Sequence, residues 1–114
     1  MSAGDAGNGY EAVEPTREAI DAARGALLLE FGSPGCGWCR RAQTPIADAM
    51  AAHPGVRHLK VEDGPGRPLG RSFRVKLWPT LVFLRDGVER QRLVRPDSRD
   101  EIAAALASVA QPGA

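Results

Sequence analysis

Leu29-Glu30-Phe31-Gly32-Ser33-Pro34-Gly35-Cys36-Gly37-Trp38-Cys39 is the stretch on which the reading of this chain turns. Ala26 to Phe31 is an apolar run broken only by Glu30. It lies between Gly25 and a Gly-Ser-Pro-Gly turn, which predicts a short buried strand. After the turn, a helix is expected from Cys36 to about Ala52. Its apolar positions Ala42, Ile46, Ala49 and Met50 fall at helical spacing, and Pro45 should kink it. The two cysteines therefore stand at a strand–turn–helix junction. Residues i and i+3 of a helix share a face with Cβ atoms about 5–6 Å apart, so a small adjustment brings them within disulfide range. Cys36 sits where backbone N–H groups are unpaired and the helix dipole is positive, which favours a thiolate. Arg40 and Arg41 add positive charge nearby. Cys39 lies one turn further in and is expected to be buried, protonated and slower. This arrangement assigns Cys36 to attack on a disulfide and Cys39 to resolution of the mixed disulfide. The competing reading is half of a metal site or two structural cysteines. It is disfavoured because the chain has no other cysteine, His53 ends the helix far from Cys36, and His58 reads as a strand residue. No metal site is expected.

Moving outward, Pro15 to Arg24 reads as a short helix, with Pro15 in its first turn and Gly25 as a stop. Val56 to Val61 suggests a strand, Glu62 to Gly70 a Gly/Pro-rich loop, and Leu69 to Phe73 one helical turn. Thr80 to Leu84 is strongly β-prone, Asp86-Gly87 signals a hairpin, and Glu89 to Val94 forms the return strand. Ser98 with Glu101 three residues on is a capping box. It opens a last helix to about Val109 with Ile102, Leu106 and Val109 on one face. The order α-β-α-β-(α)-β-β-α implies an α/β fold. Its strand–helix–strand start calls for a parallel pair with a right-handed crossover, and its late hairpin adds antiparallel strands. A central mixed β-sheet flanked by helices on both faces follows. Residues 10–110 are expected to form a single domain, with a tail at 1–9 and another at 111–114.

The chain has 114 residues, 43% hydrophobic and 25% charged, with a formal net charge of +1. That balance excludes a wholly disordered chain, a collagen-like repeat and a coiled coil. The longest apolar runs, Ala26 to Leu29 and Leu81 to Leu84, fall far short of the ~18 residues a membrane span needs. Nothing global points to nucleic acid or an anionic membrane surface. Met1 to Gly9 is small, polar and without a cation, unlike a secretory signal. The expectation is therefore a cytoplasmic protein with reduced thiols. The Arg and Ala bias suggests a GC-rich bacterial genome.

The segment Leu29 to Cys39, followed after a β-α segment by Trp78-Pro79-Thr80, resembles the thioredoxin family over roughly Pro15 to Val109. A Cys-x-x-Cys near a βαβ pattern is itself a thioredoxin-like signal. The resemblance implies a thioredoxin fold and thiol–disulfide exchange. It also implies that Pro79 is a cis-proline beside the cysteine pair and that the Trp78 backbone pairs with a substrate peptide. Gly37, Trp38, Trp78, Pro79 and Arg95 then form the substrate-binding rim. Glu30 matches the buried acid of the family, where burial makes a carboxyl a candidate proton acceptor, and Lys60 matches a lysine often paired with that acid.

Several residues depart from the family pattern. Gly35 stands where a tryptophan is common, Gly37-Trp38 replaces Gly-Pro, and Trp78 replaces a small aliphatic residue. Pro45 is one residue late, and Arg95-Pro96 occupies a loop that usually contains glycine. Trp38, Trp78 and Arg95 make a bulkier, more basic rim that suits a dedicated partner. The expected protein is a monomeric, cofactor-free disulfide reductase. Its partners are a disulfide-containing client and a separate reductase or low-molecular-weight thiol. The alternatives are an extracytoplasmic oxidase or isomerase, and a docking module that uses the fold without its chemistry.

Overall fold

In a computed structural model, residues 9–111 are described, so most of the two expected tails lies outside the described residues. The elements are α1 (Arg17–Ala22), β1 (Ala26–Gly32), α2 (Gly37–Ala51), β2 (Arg57–Glu62), α3 (Pro68–Ser72), β3 (Thr80–Arg85), β4 (Val88–Val94) and α4 (Arg99–Ala110). They follow the order read from the sequence. The four strands form one sheet in the order β2-β1-β3-β4. β1 and β2 are parallel with α2 between them in sequence, and β1–β3 and β3–β4 are antiparallel.

β1 has a partner on each edge and helices on each face, so all seven of its residues are buried. Its period-two alternation feeds two cores. Ala26 and Leu28 pack with Ala42, Ile46 and Ala49 of α2 and with Ile102, Ala105, Leu106 and Val109 of α4. Leu27, Leu29 and Phe31 pack on the other face with Ile20, Leu69, Phe73, Val82 and Leu84. Glu30 has the parity of Leu28, which directs it to the α2 side. The register sets Glu30 beside Lys60 of β2 and Leu81 of β3.

Local chemistry sets the ends. The Thr16 hydroxyl accepts from Ala19 N at 3.0 Å, so α1 starts at Arg17 and Pro15 lies outside it, not in its first turn. The helix also stops at Ala22 instead of Arg24, where Ala23 turns extended. Ser98 caps α4 by accepting from Glu101 N at 3.3 Å. Asp86 and Gly87 both have positive φ, 53° and 79°, the signature of a type I′ hairpin turn. Asp86 Oδ1 also accepts from Gly25 N at 2.8 Å, tying the hairpin to the start of β1.

One feature has no counterpart in the sequence reading. Tyr10 pairs with Lys60 in parallel fashion, and Glu11 N donates to Lys60 O at 2.8 Å. The N-terminal segment thus covers the outer edge of β2, a place where bare strand edges invite unwanted pairing.

Phe83 is fully buried in the α2/α4 core, whereas Val88 is 56% exposed. Phe83→Ala is expected to cost about 3–5 kcal/mol in urea unfolding, and Val88→Ala to stay within about 0.5 kcal/mol. Equal losses would refute this placement of the core.

Candidate active site

α2 begins at Gly37, and Cys36 is its N-cap with extended backbone. The helix start therefore aims its free N–H groups at the first sulfur. Cys36 Sγ accepts from Cys39 N at 3.1 Å. Both cysteines are free thiols; Cys36 is half-buried and Cys39 is 2% exposed. The Cys39 thiol is pushed up from 9.0 to about 11. Burial is the largest cause, followed by its hydrogen bond to Cys36. The Ser33 backbone N–H opposes both, and the negative charges of Cys36 and Glu30 add to the rise. Cys39 is thus a neutral thiol at neutral pH.

Gly32, at the end of β1, makes room for that sulfur. A Cβ there would stand 2.7 Å from Cys39 Sγ and 2.8 Å from the Tyr10 hydroxyl. Gly32 O also accepts from Asp63 N at 2.8 Å, and Asp63 Oδ2 accepts from the Trp78 indole at 2.9 Å. This chain of contacts holds the Trp78–Pro79 segment against the cysteine pair. The Trp78–Pro79 peptide is cis, Pro79 is buried, and Trp78 O lies 4.0 Å from Cys36 Sγ.

Arg95 reaches the same carbonyl: its Nε donates to Trp78 O at 2.8 Å. Its backbone is left-handed, φ 52°, and its N–H donates to Pro79 O at 2.8 Å. The guanidinium then lies 4.8 Å from the centre of the Trp38 ring, and that of Arg41 lies at the same distance. Trp38, 47% exposed, is a flat surface held by two cations. With Pro45, Pro96 and Asp97 these residues line a groove of about 190 Å³. Gly37 is exposed at the helix start. These residues lie together, and the Trp78 backbone, expected to pair with a substrate peptide, has its carbonyl engaged by Arg95.

Glu30 is fully buried. Its Oε1 lies 2.8 Å from His58 Nε2, and its Oε2 accepts from Gln43 Nε2 at 2.8 Å. Gln43 Nε2 also donates to Cys39 O at 2.8 Å, and Gln43 Oε1 accepts from Lys60 Nζ at 3.1 Å. The hydrogen-bonding neighbour of Glu30 across the sheet is therefore His58, whose side chain is 28% exposed, and Lys60 is joined to Glu30 through Gln43. Sequence reasoning missed Gln43, His58 and Tyr10 as site residues. Gln43 carried a readable signal, since it lies one helical turn beyond Cys39. His58 shares its strand face with Lys60, a second readable signal.

A family model described as Thioredoxin matches residues 12–108. The reduced form of thioredoxin 2 from Pseudomonas aeruginosa is 52% identical, with a TM-score of 0.80, and the alignment covers 89% of this chain and 94% of that one. A thioredoxin from Chlamydia trachomatis is 37% identical over 82 residues, 70% of this chain and 78% of that protein. Protein disulfide-isomerase A2 from Pongo abelii is 42% identical over 66 residues, which span 54% of this chain but only 13% of that protein.

Three outcomes are expected from this geometry. Iodoacetamide should modify Cys36 in the folded protein and reach Cys39 only on unfolding; a peptide map with Cys39 labelled first would contradict it. Gly32→Ala should destabilise the reduced protein by about 1–3 kcal/mol, because the new methyl must displace both Cys39 and Tyr10. The folded value of Cys39 lies above its unfolded one. Its contribution to stability is therefore complete below pH 9.0 and is lost as pH rises toward 11. Urea midpoints of the reduced form at pH 8 and pH 10 will register this fall.

Proposed function

The chain belongs to the thioredoxin family and is a thiol–disulfide oxidoreductase, and from this premise we propose that it reduces protein disulfides with Cys36 as attacking thiol and Cys39 as resolving thiol. One observation carries the assignment of roles. Cys36 caps α2 half-exposed beside Trp78 O, while Cys39 is buried behind it and donates its N–H to Cys36 Sγ.

In the first step the Cys36 thiolate attacks one sulfur of a substrate disulfide. A Cys36–substrate disulfide forms and the other substrate sulfur leaves as a thiolate. Cys36 Sγ accepts from the Cys39 N–H at the open end of α2. In the second step Cys39 loses its proton and attacks Cys36 Sγ. The Cys36–Cys39 disulfide closes, the second substrate thiolate leaves, and two electrons have passed to the substrate. Glu30 is the proposed acceptor of the Cys39 proton. Gln43 fixes the carboxylate relative to Cys39, and the partly exposed His58 provides its link toward solvent. Lys60 supports this group through Gln43. Gly37, Trp38, Trp78, Pro79 and Arg95 form the surface that receives the substrate.

Thioredoxins are re-reduced by a reductase, and we propose that a reductase or a low-molecular-weight thiol returns this pair to its dithiol form. That cycle requires a reducing compartment, which favours the bacterial cytoplasm. The chain is read as acting as a monomer. A segment of the isomerase relative is 42% identical, so the direction of transfer is tested directly. Equilibration with glutathione buffers at pH 7 is expected to give roughly −200 to −270 mV, whereas a value near about −120 mV would mark an oxidase.

The chemistry is tested by insulin reduction. Cys36→Ser should abolish turnover, and Cys39→Ser should accumulate a mixed disulfide through Cys36 that identifies the client by mass spectrometry. Full activity of Cys36→Ser would overturn the proposal.

A further inference from the structure

Tyr10 is the only tyrosine of the chain, it is 3% exposed, and nothing in the reaction above uses it. It arrives from outside the four-stranded sheet, carried by the segment that pairs along Lys60 of β2. Its ring lies against the Lys60 ammonium, 4.4 Å from centroid to Nζ. Its hydroxyl lies beside the Cys39 side chain, both of them within 2.8 Å of the point where a Gly32 Cβ would stand. A cavity of about 240 Å³ opens beside them, lined in part by Tyr10, Cys39, Gln43 and Lys60.

We propose that Tyr10 is a built-in hydrogen-bond donor to the Cys39 sulfur that stabilises the negative charge developing there during resolution of the mixed disulfide. This rests on the assignment of Cys39 as the resolving thiol. When Cys39 gives up its proton, charge appears on a sulfur that water reaches poorly. A buried O–H held beside that sulfur needs little reorganisation to stabilise it, and hydrogen bonds to charged acceptors are the strong ones. The Ser33 backbone N–H also favours charge on the same sulfur. Tyr10 keeps its own proton throughout, because burial and the adjacent thiols hold its ionisation well above the ordinary tyrosine range. The balance of the step is unchanged. The Cys39 proton leaves to the acceptor, the Cys39–Cys36 bond forms, the Cys36–substrate bond breaks, and the substrate sulfur departs as a thiolate. Lys60 and Gly32 acquire a clear purpose in this arrangement: one packs on the ring, the other leaves space for the hydroxyl.

Stopped-flow reaction of the reduced full chain with Ellman's reagent separates the two steps. Attack by Cys36 releases the first thionitrobenzoate in a phase that depends on reagent concentration. Attack by Cys39 releases the second in a concentration-independent phase. Tyr10→Phe keeps the ring and removes the donor. It should leave the first phase unchanged and slow the second by about tenfold, the loss expected for one hydrogen bond to a charged acceptor. Replacing tyrosine globally with 3-fluorotyrosine alters Tyr10 alone and makes the phenol a stronger donor at nearly unchanged packing. The second phase should then be faster than in wild type, a change that a purely packing role would not produce. A second phase equally fast in Tyr10→Phe and wild type would overturn the proposal, as would one unchanged by fluorination. If wild type itself gives no concentration-independent phase, the resolving role of Cys39 fails instead. If Tyr10→Phe does not fold, the fluorinated protein decides.

Discussion

The end of β1 is where the fold meets its chemistry, and the constraint there is one of space. Gly32 closes a strand buried along its whole length, and the Cys39 sulfur lies against it where any Cβ would collide. The strand can run this deep because neighbours satisfy its backbone on both edges and helices cover both faces. α2 must follow at once, since Ser33 to Gly35 form only a short turn. Its first residues therefore arrive directly above the strand end, with Cys36 as cap and Cys39 one turn inside. The difference between the two thiols comes from that descent into the core. One sulfur remains at the helix mouth, while the other enters surroundings that raise its ionisation to about 11.

Around this pair the polar groups divide into two sets on opposite sides. Beneath Cys39 lie Glu30, Gln43, His58, Lys60 and Tyr10, a connected group that reaches the surface at His58. A carboxylate as deeply buried as Glu30 is tolerated because both oxygens have hydrogen-bond partners. Outside Cys36 lie Trp38, Arg41, Trp78 and Arg95. Arg95 links this outer set, joining the Trp78 carbonyl to the face of Trp38. A left-handed backbone at a non-glycine residue is uncommon. Here the Arg95 N–H bonded to Pro79 O and the side chain bonded to Trp78 O hold it in place. The result is a more basic and more aromatic surface than a small-residue loop would give.

The 52% identical thioredoxin 2 overlays nearly the whole chain. The covering of the β2 edge by Tyr10 and Glu11 adds a fifth, very short strand-like contact to the sheet. It protects an edge and delivers a phenol to the inner thiol with the same few residues.

Much of the fold was legible in the residues themselves. The apolar run Ala26 to Phe31, the Asp86-Gly87 turn and the Ser98 cap are local signals with local physical causes: continuous burial, positive φ and a side-chain acceptor for a free N–H. The cysteine pair was legible for the same reason, since i and i+3 on a helix start meet whatever the rest of the chain does. The partner of Glu30 was not. Lys60 lies directly across from it in the register, yet the carboxylate meets His58 and Gln43, because side-chain reach and the approach of α2 choose among neighbours that the register alone offers equally. Tyr10 was invisible for a deeper reason. It lies 29 residues before Cys39, in a stretch with no periodicity, and only the parallel pairing along β2 brings its hydroxyl to the sulfur. The sequence by itself determined that a Cys-x-x-Cys pair stands at the mouth of a helix and on which element each cysteine lies. The tertiary structure decided which groups surround them, because those contacts join residues far apart in the chain and depend on how the sheet edge, the helix and the glycine gap close together.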